Sequence, residues 1–275
     1  HNSSVVTDPK SRKKYRIKTR LGSGSFGNVY EVTDDQGNTY ALKEMEDEVE
    51  WLYEVHMLHY TRKMHHVLHM HSQFKVNHVY YIVMEFFKGG DLENAIKRLG
   101  YTKKSITVDK TCIALKWIFD AMKGLKEMHD AHMVHNDIKG QNIMVEDDTK
   151  AVLGDLGLTH RFEEKEINEA KTSGQRMSYG GGTVMYVKRL LASFAHLFSH
   201  SIVTNRYMPP ERGVFYPVSA KDMWAFGITV ESDVLQSWFP ARGPRLSTIV
   251  EETLHNSRWH DSMCLQALHN IPLLA

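Results

Sequence analysis

The chain has 275 residues, of which 42% are hydrophobic and 24% are charged. This composition provides enough apolar material for one large domain or two small lobes. Lys and Arg total 34 against 33 Asp and Glu, so the net charge is +1. Such a balance argues against a nucleic acid or a membrane surface as the main partner. We therefore expect a globular protein that binds small molecules or other proteins.

The cysteine content and the chain start bear on location. Cys112 and Cys264 are far apart and match no metal-ligand spacing, which favours reduced thiols and a cytoplasmic or nuclear location. No apolar run is as long as a bilayer span, and the first residues, HNSSVVTDPKSRKKYR, are polar. The sequence therefore predicts neither a signal peptide nor a membrane anchor.

The N-terminal third predicts β-strands. Residues 15–21, YRIKTRL, alternate large or apolar side chains with basic ones, and NVYEVTDDQGNTYALKEM places two β-rich runs on either side of a turn. These patterns indicate three antiparallel strands. A helix is predicted over residues 46–60. One or two further strands are predicted in VNHVYYIVMEFF, which is rich in β-branched and aromatic residues.

The apolar period changes after residue 91 and becomes helical. One long helix is predicted before residue 130, on the spacing of Ala114, Ile118, Ala121, Met122, Leu125 and Met128. The fold class is therefore α+β, with a small β-rich lobe followed by a helical one. We assign residues 1–14 to an N-terminal extension, 15–87 to the first lobe and 88–275 to the second.

A glycine-rich stretch, GSGSFGNV, lies between two predicted strands. Gly22, Gly24 and Gly27 permit close backbone approach, so main-chain N–H groups can cover phosphates. Taken alone, the stretch fits an ordinary hairpin turn equally well. A dinucleotide fold needs a helix after the glycines, whereas Val29 begins a strand. Lys43 follows in YALK, at a distance that lets its amine reach phosphates held under the glycine loop.

The stretch HMVHNDIKGQN contains Asp137, Lys139 and Asn142 at the spacing of a phosphotransfer catalytic loop. With it, the chain resembles the eukaryotic protein kinase family, and the motifs occur in the family's order. DLG is similar to the metal-binding triplet, PPE to the end of the activation segment, and DMWAFG to the helix that follows. The resemblance covers about residues 15–230. It implies a two-lobed protein-kinase-like fold with an antiparallel β-rich N-lobe and a mainly helical C-lobe.

The resemblance implies ATP and Mg2+ as cofactors and gives the matched residues their tasks. Asp137 accepts the proton of the attacking hydroxyl or orients it, and Lys139 neutralises charge on the γ-phosphate. Asn142 and Asp155 hold magnesium, a hard cation that prefers oxygen ligands. A lysine two residues beyond the catalytic Asp resembles the serine/threonine type.

Lys43 needs a glutamate partner on the predicted helix. Glu54 is preferred because Leu58 follows one turn later and continues the same packed face, as in the family. Only eleven positions separate Lys43 from Glu54, fewer than usual, so the connecting loop must be short. Glu50 remains an alternative.

The resemblance also locates the nucleotide pocket. Met84 resembles the gatekeeper, and the next residues form the hinge that bonds the adenine through its backbone. Each apolar residue expected in this pocket is equally compatible with an ordinary place in the hydrophobic core. The residues expected around base and ribose are Leu21, Val29, Ala41, Glu85, Phe87, Asp91 and Met144.

Asn136 stands between His135 and Asp137, where the family usually has Arg. The resemblance implies that this Arg would hold the activation segment by pairing with a phosphate on it. A neutral Asn makes no such ion pair, so we predict activity that is independent of phosphorylation. The positions concerned are Thr172, Ser173, Ser178 and Thr183.

The later part of the chain departs from the family. The segment from Asp155 to Glu211 is unusually long, and either Thr204 or Thr183 fits the threonine expected near the catalytic loop. If Thr183 is that threonine, residues 184–204 are an insert with a docking helix, or sequence from a retained intron or a mis-built gene model. Only 48 residues follow Gly227. This predicts a shortened C-terminal lobe that is truncated, poorly stable or dependent on a regulatory protein.

Three functions remain open from the sequence. The first is an ATP-dependent serine/threonine protein kinase that transfers the γ-phosphoryl group to a protein hydroxyl. The second is a pseudokinase that binds nucleotide and acts as a scaffold. The third is a defective, truncated kinase isoform. The expected partners are ATP, a protein substrate and a regulatory protein, with neither nucleic acid nor membrane.

Overall fold

A computed structural model describes residues 5–24, 27–100 and 108–166, together with the helical residues Asp222, Ala225, Phe226 and Thr229. The predictions about the insert at 184–204, the four phosphorylation positions, Thr204 and the shortened C-terminal lobe lie outside these residues.

A six-stranded antiparallel sheet forms the first lobe, in the order β1-β2-β3-β4-β6-β5. The three strands predicted first are β2, β3 and β4. The stretch VNHVYYIVMEFF contains one further strand, β6, and only the last residue of β5, which the prediction otherwise missed. Pairing of Val5 with Arg16 adds β1, which lies in the segment assigned to the N-terminal extension. The strands are β1 (Val5–Thr7), β2 (Lys14–Gly24), β3 (Gly27–Thr33), β4 (Thr39–Met45), β5 (Met70–Val76) and β6 (Val79–Glu85).

Helix α1 spans Glu48–Tyr60 and follows β4 after a loop of two residues, Glu46 and Asp47. Asp47 caps the helix, because its side chain accepts the N–H groups of Val49 and Glu50. The inner face buries Trp51, Met57 and Leu58 together with Glu54. One carboxylate is therefore placed in an otherwise apolar face of the helix.

The second lobe begins with helix α2, Leu92–Leu99, which is capped by Asp91 and ends at Gly100 in the left-handed conformation. Helix α3 spans Val108–Asp130, and the long helix predicted here is confirmed. Its predicted apolar positions are buried, apart from the partly buried Met122. The short strands are β7 (Met133–Val134), β8 (Ile143–Asp147), β9 (Lys150–Leu153) and β10 (His160–Arg161).

The main hydrophobic core joins both lobes. It runs from Met45 under the sheet, through Leu58 of α1 and Leu125 of α3, to Leu153 and Leu156. Successive side chains of β4 alternate between the sheet faces, so Lys43 shares the core-facing side with Ala41 and Met45. The fold is α+β, as predicted. Among the described helices, none is both long enough and apolar enough to cross a bilayer.

Candidate active site

Lys43 and Glu54 form a buried ion pair at the base of the sheet. Lys43 Nζ lies 2.8 Å from Oε1 and 2.7 Å from Oε2 of Glu54. The two residues are only 6% and 1% exposed. Of the two glutamates left open by the sequence, the structure pairs Glu54 with Lys43. The two-residue loop between β4 and α1 explains how eleven positions suffice for this contact.

Asp155 completes this charge cluster. Its Oδ1 lies 3.3 Å from Lys43 Nζ and also accepts the N–H of Gly157. Burial acts to lower the pKa of Lys43, but the negative charges of Asp155 and Glu54 outweigh it, so that pKa is raised. Burial acts to raise the pKa of Asp155, but the positive charges of Lys43 and Lys139 lower it to about 2. Both groups are therefore ionised at neutral pH.

The backbone around Asp155 is turned sharply. Asp155 has a φ of 52°, in the left-handed region that non-glycine residues adopt rarely. The preceding Gly154 donates its N–H to the Asn142 carbonyl at 2.7 Å, and its own carbonyl lies 2.8 Å from His135 Nε2. Leu156, predicted to be an apolar plug, is fully buried in the core that contains Leu58. These contacts aim the Asp155 carboxylate at Lys43.

Asp137, Lys139 and Asn142 form a second polar cluster. Oδ2 of Asp137 accepts from Lys139 Nζ at 2.8 Å and from Asn142 Nδ2 at 2.8 Å. Asn142 Nδ2 also donates to the Asp137 carbonyl at 2.7 Å. The Asp137 carboxylate is thus held by two donors and is partly exposed, with 19% of its side chain accessible. It remains open to a third group.

Asp222 anchors the catalytic loop from a distant part of the chain. Its Oδ2 accepts the His135 N–H at 2.7 Å and lies 3.0 Å from His129 Nε2, and its Oδ1 accepts the Asn136 N–H at 2.8 Å. Asp222 is 1% exposed, so these bonds satisfy a buried carboxylate. The sequence reasoning gave Asp222 no role. The available signal was an Asp within the apolar helical run DMWAFG.

Within the glycine-rich stretch, Gly22 and Gly24 lie at the end of β2, and Gly27 begins β3. Gly27 has a φ of 115°, and a Cβ there would overlap the Glu44 carbonyl oxygen of the neighbouring strand. The sheet therefore requires glycine at this position. Gly22 and Gly24 instead face open space. Leu21, on the same strand, is 48% exposed. These three positions are therefore accessible at the end of β2.

The residues predicted around the base lie at the junction of the lobes. Val29 pairs with Lys43, and Ala41 pairs with Met84 at the end of β6. Val29 and Met144 pack against the core cluster that includes Ala41 and the buried Phe87.

The hinge residues make backbone contacts of their own. Glu85 donates its N–H to the His69 carbonyl, and the Phe87 carbonyl accepts from Gly90. Asp91 bonds Asn94 through both carboxylate oxygens, which gives it a capping task besides its predicted ribose contact. The ribose contact stays a prediction.

Two charged clusters facing one junction beneath a glycine-rich hairpin are typical of phosphotransferases that bind a nucleotide between lobes. A family model described as the protein kinase domain matches residues 15–263. The chain therefore belongs to the protein kinase family.

Several curated proteins are similar to this chain. Mouse serine/threonine-protein kinase Nek1 is 28% identical over 232 residues, which cover 75% of this chain and 18% of Nek1. Mouse serine/threonine-protein kinase Nek3 is 26% identical, with 78% of this chain and 36% of Nek3 covered. LysM domain receptor-like kinase 10 of Oryza sativa subsp. japonica is 29% identical, with coverage of 78% and 31%. The chain thus spans well under half the length of these relatives.

Proposed function

We propose that the protein is a serine/threonine protein kinase that uses ATP and Mg2+ to phosphorylate a protein hydroxyl. The observation that carries the proposal is the charge cluster in which Lys43 contacts both Glu54 and Asp155. This cluster faces the Asp137 loop through Gly154, which bonds Asn142 and His135. Family membership and the names of the relatives support the serine/threonine type.

The side-chain oxygens of Asp155 and Asn142 fit a magnesium nucleotide. Asp155 uses Oδ1 for both of its hydrogen bonds, and Asn142 uses Nδ2 for both of its side-chain bonds. Among the described residues, none donates to Oδ2 of Asp155 or to Oδ1 of Asn142. These are the oxygen atoms that a hard cation prefers. Magnesium ATP, when bound, supplies the transferable phosphoryl group and screens its charge.

Each charged side chain then has a defined task. Lys43, whose raised pKa keeps it protonated, offers a fixed cation under the glycine-rich hairpin. Asp137 accepts a hydrogen bond from the substrate hydroxyl and takes up or orients its proton. Lys139 contacts Asp137 and has 31% of its side chain accessible, so its charge is available to the transferring group.

The test is transfer of labelled phosphate from ATP to a generic protein substrate in the presence of Mg2+. Asp137→Asn keeps the shape of the side chain and removes its basic oxygen. Asp148→Asn, in the exposed turn between β8 and β9, is the matched control. We expect transfer by the wild type and the control, and its loss in Asp137→Asn. Nucleotide-induced thermal stabilisation without any transfer would instead support the scaffold function and overturn the proposal.

A further inference from the structure

The short segment that follows Asp155 is held by side chains from two different elements. Nδ2 of Asn136, in the catalytic loop, donates to the Leu158 carbonyl at 3.0 Å. The hydroxyl of Tyr53, on helix α1, donates to the Thr159 carbonyl at 2.6 Å. Two consecutive carbonyls thus accept hydrogen bonds from side chains of different lobes.

Further contacts hold the next residues of the same segment. Strand β10 pairs with β7, through His160 with Val134 and Arg161 with Met133. The Phe162 N–H donates to the His132 carbonyl at 2.9 Å. The Arg161 guanidinium also lies 4.7 Å from the centroid of the Tyr60 ring on α1. Strand pairing, one backbone hydrogen bond and one cation–π contact thus hold residues 160–162.

The Tyr53 contact satisfies a deeply buried acceptor. Thr159 is 0% exposed, so water has little access to its carbonyl. The Thr159 hydroxyl itself has no hydrogen-bond partner among the described residues. Removing the Tyr53 hydroxyl therefore leaves a buried carbonyl short of a donor, which costs more than the loss of an exposed hydrogen bond.

Asn136 suits its position in two respects. Its φ is 67°, and Asn tolerates this left-handed backbone better than most residues. Its short amide reaches the Leu158 carbonyl while its N–H remains bonded to Asp222. The test therefore needs one substitution that removes the side-chain donor and another that tolerates the left-handed backbone.

Both residues lie directly beside catalytic groups. Tyr53 precedes Glu54, the partner of Lys43, and Asn136 precedes Asp137. We propose, resting on the kinase function above, that Tyr53 and Asn136 are positioning residues that clamp Leu158–Thr159 between the lobes. Through this clamp they set Asp155 against Lys43 and Glu54 without a modified residue. The neutral amide of Asn136 and the phenol of Tyr53 thus take the place of the Arg–phosphate ion pair that is usual in the family.

The first experiment measures backbone amide exchange over residues 156–162 in the protein without nucleotide. The variants are Asn136→Asp, which keeps the shape but lacks the donor, and Tyr53→Phe. Asn136→Gly serves as a second variant that accepts the left-handed backbone. We expect exchange of the Thr159 and Phe162 amides to rise about three- to tenfold, the effect of one lost hydrogen bond.

Matched controls separate the clamp from general effects. Asn77→Asp changes another left-handed Asn, located in the turn between β5 and β6. Tyr30→Phe removes a hydroxyl from a ring on β3 that packs against the other face of the sheet lobe. Exchange over residues 156–162 should stay within about twofold of the wild type in both. Exchange in the clamp variants that matches these controls would overturn the proposal.

The second experiment measures the Mg2+ concentration that gives half of the ATP-induced rise in melting temperature. A displaced Asp155 should raise this concentration about threefold or more in the clamp variants. A merely structural role lowers the melting temperature but leaves the half-saturating Mg2+ concentration unchanged, and that outcome also overturns the proposal. Absence of phosphate transfer by the wild type contradicts the kinase function alone, because the exchange experiment needs no transfer.

Discussion

The Lys43–Glu54 ion pair and the catalytic loop around Asp137 are positioned in different ways. Lys43 and Glu54 are 11 positions apart and meet because a two-residue loop joins β4 to α1. The catalytic loop is instead fixed by Asp222, which bonds the backbones of His135 and Asn136 from 87 and 86 positions away. One half is organised by local chain geometry, and the other depends on a distant helix.

This difference affects how each half responds to damage. A local pair keeps its geometry whenever its strand and helix form, so substitution removes mainly the interaction itself. A loop anchored from a distance loses its shape when the anchor is removed, even though every catalytic side chain is still present. Removal of the distant anchor should therefore lower stability and activity together, whereas a substitution in the local pair should leave the rest of the site in place.

The largest effect is expected at Asp137, where the proposed proton transfer depends on one carboxylate oxygen. Asp137→Asn should lower kcat about 10³-fold, within the range for removal of a general base. Its melting temperature should stay close to that of the wild type, because Asn retains the shape of the side chain. Steady-state kinetics and a thermal melt on the same preparation check both parts. A loss of less than about tenfold would argue against a base role.

Removal of the distant anchor should reduce stability and rate together. Asp222→Ala leaves the buried N–H of His135 and the partly buried N–H of Asn136 without their acceptor, which should destabilise the protein by about 3 kcal/mol. Urea denaturation measures this change, and phosphate transfer measures the rate. Asp148→Ala, at an exposed turn, is the control and should change stability by less than about 0.5 kcal/mol. A stable Asp222→Ala protein with normal activity would contradict the anchoring role.

The local pair should give a smaller loss of stability. Glu54→Gln removes one charged partner from buried Lys43, but Asp155 remains 3.3 Å away, so we expect destabilisation of about 2 kcal/mol. Adding Lys43→Met should recover part of this loss, because the buried lysine charge that lost its partner is then also removed. Glu50→Gln, on the same helix, is the matched control for the glutamate that the sequence left open. An equal effect at Glu50 would contradict the pairing.

Sequence reasoning succeeded where structure is local. The spacing of apolar residues along β2, β3, β4 and α3 is a local property of the sequence, so these elements were predictable. Glu54 was preferred as the partner of Lys43 because Leu58 lies one helical turn later, as in the family, and Glu50 was left open; the structure pairs Lys43 with Glu54. The contributions of Asp222, Tyr53 and the edge strand β1 were missed, because they depend on contacts that only the folded chain brings together.

A smaller effect is expected from pH at the edge of the sheet lobe. Burial acts to raise the pKa of Asp34, but hydrogen bonds from Lys13 and Asn38 outweigh it, so that pKa lies well below its usual value. A depressed pKa contributes stability above the unfolded value of 3.8, and this contribution is lost as pH falls below it. The stability difference between wild type and Asp34→Asn should therefore shrink below about pH 4.

Urea denaturation across pH 3 to 7 provides the measurement for Asp34. Asp35→Asn, at the neighbouring exposed turn position, is the control and should give a difference that depends less on pH. A difference for Asp34→Asn that stays constant down to about pH 3 would contradict the ion pair with Lys13, which is 2.9 Å long.

The smallest effect is expected at the four predicted phosphorylation positions. Asn136 is neutral and bonds the Leu158 carbonyl directly, so we expect the segment after Asp155 to be held without a phosphate. Combined substitution of Thr172, Ser173, Ser178 and Thr183 with Ala should leave kcat within about twofold of the wild type. The same assay on phosphatase-treated wild type is the control. A large loss of rate in the four-site variant would show that the loop depends on a distant modified residue as well as on Asp222.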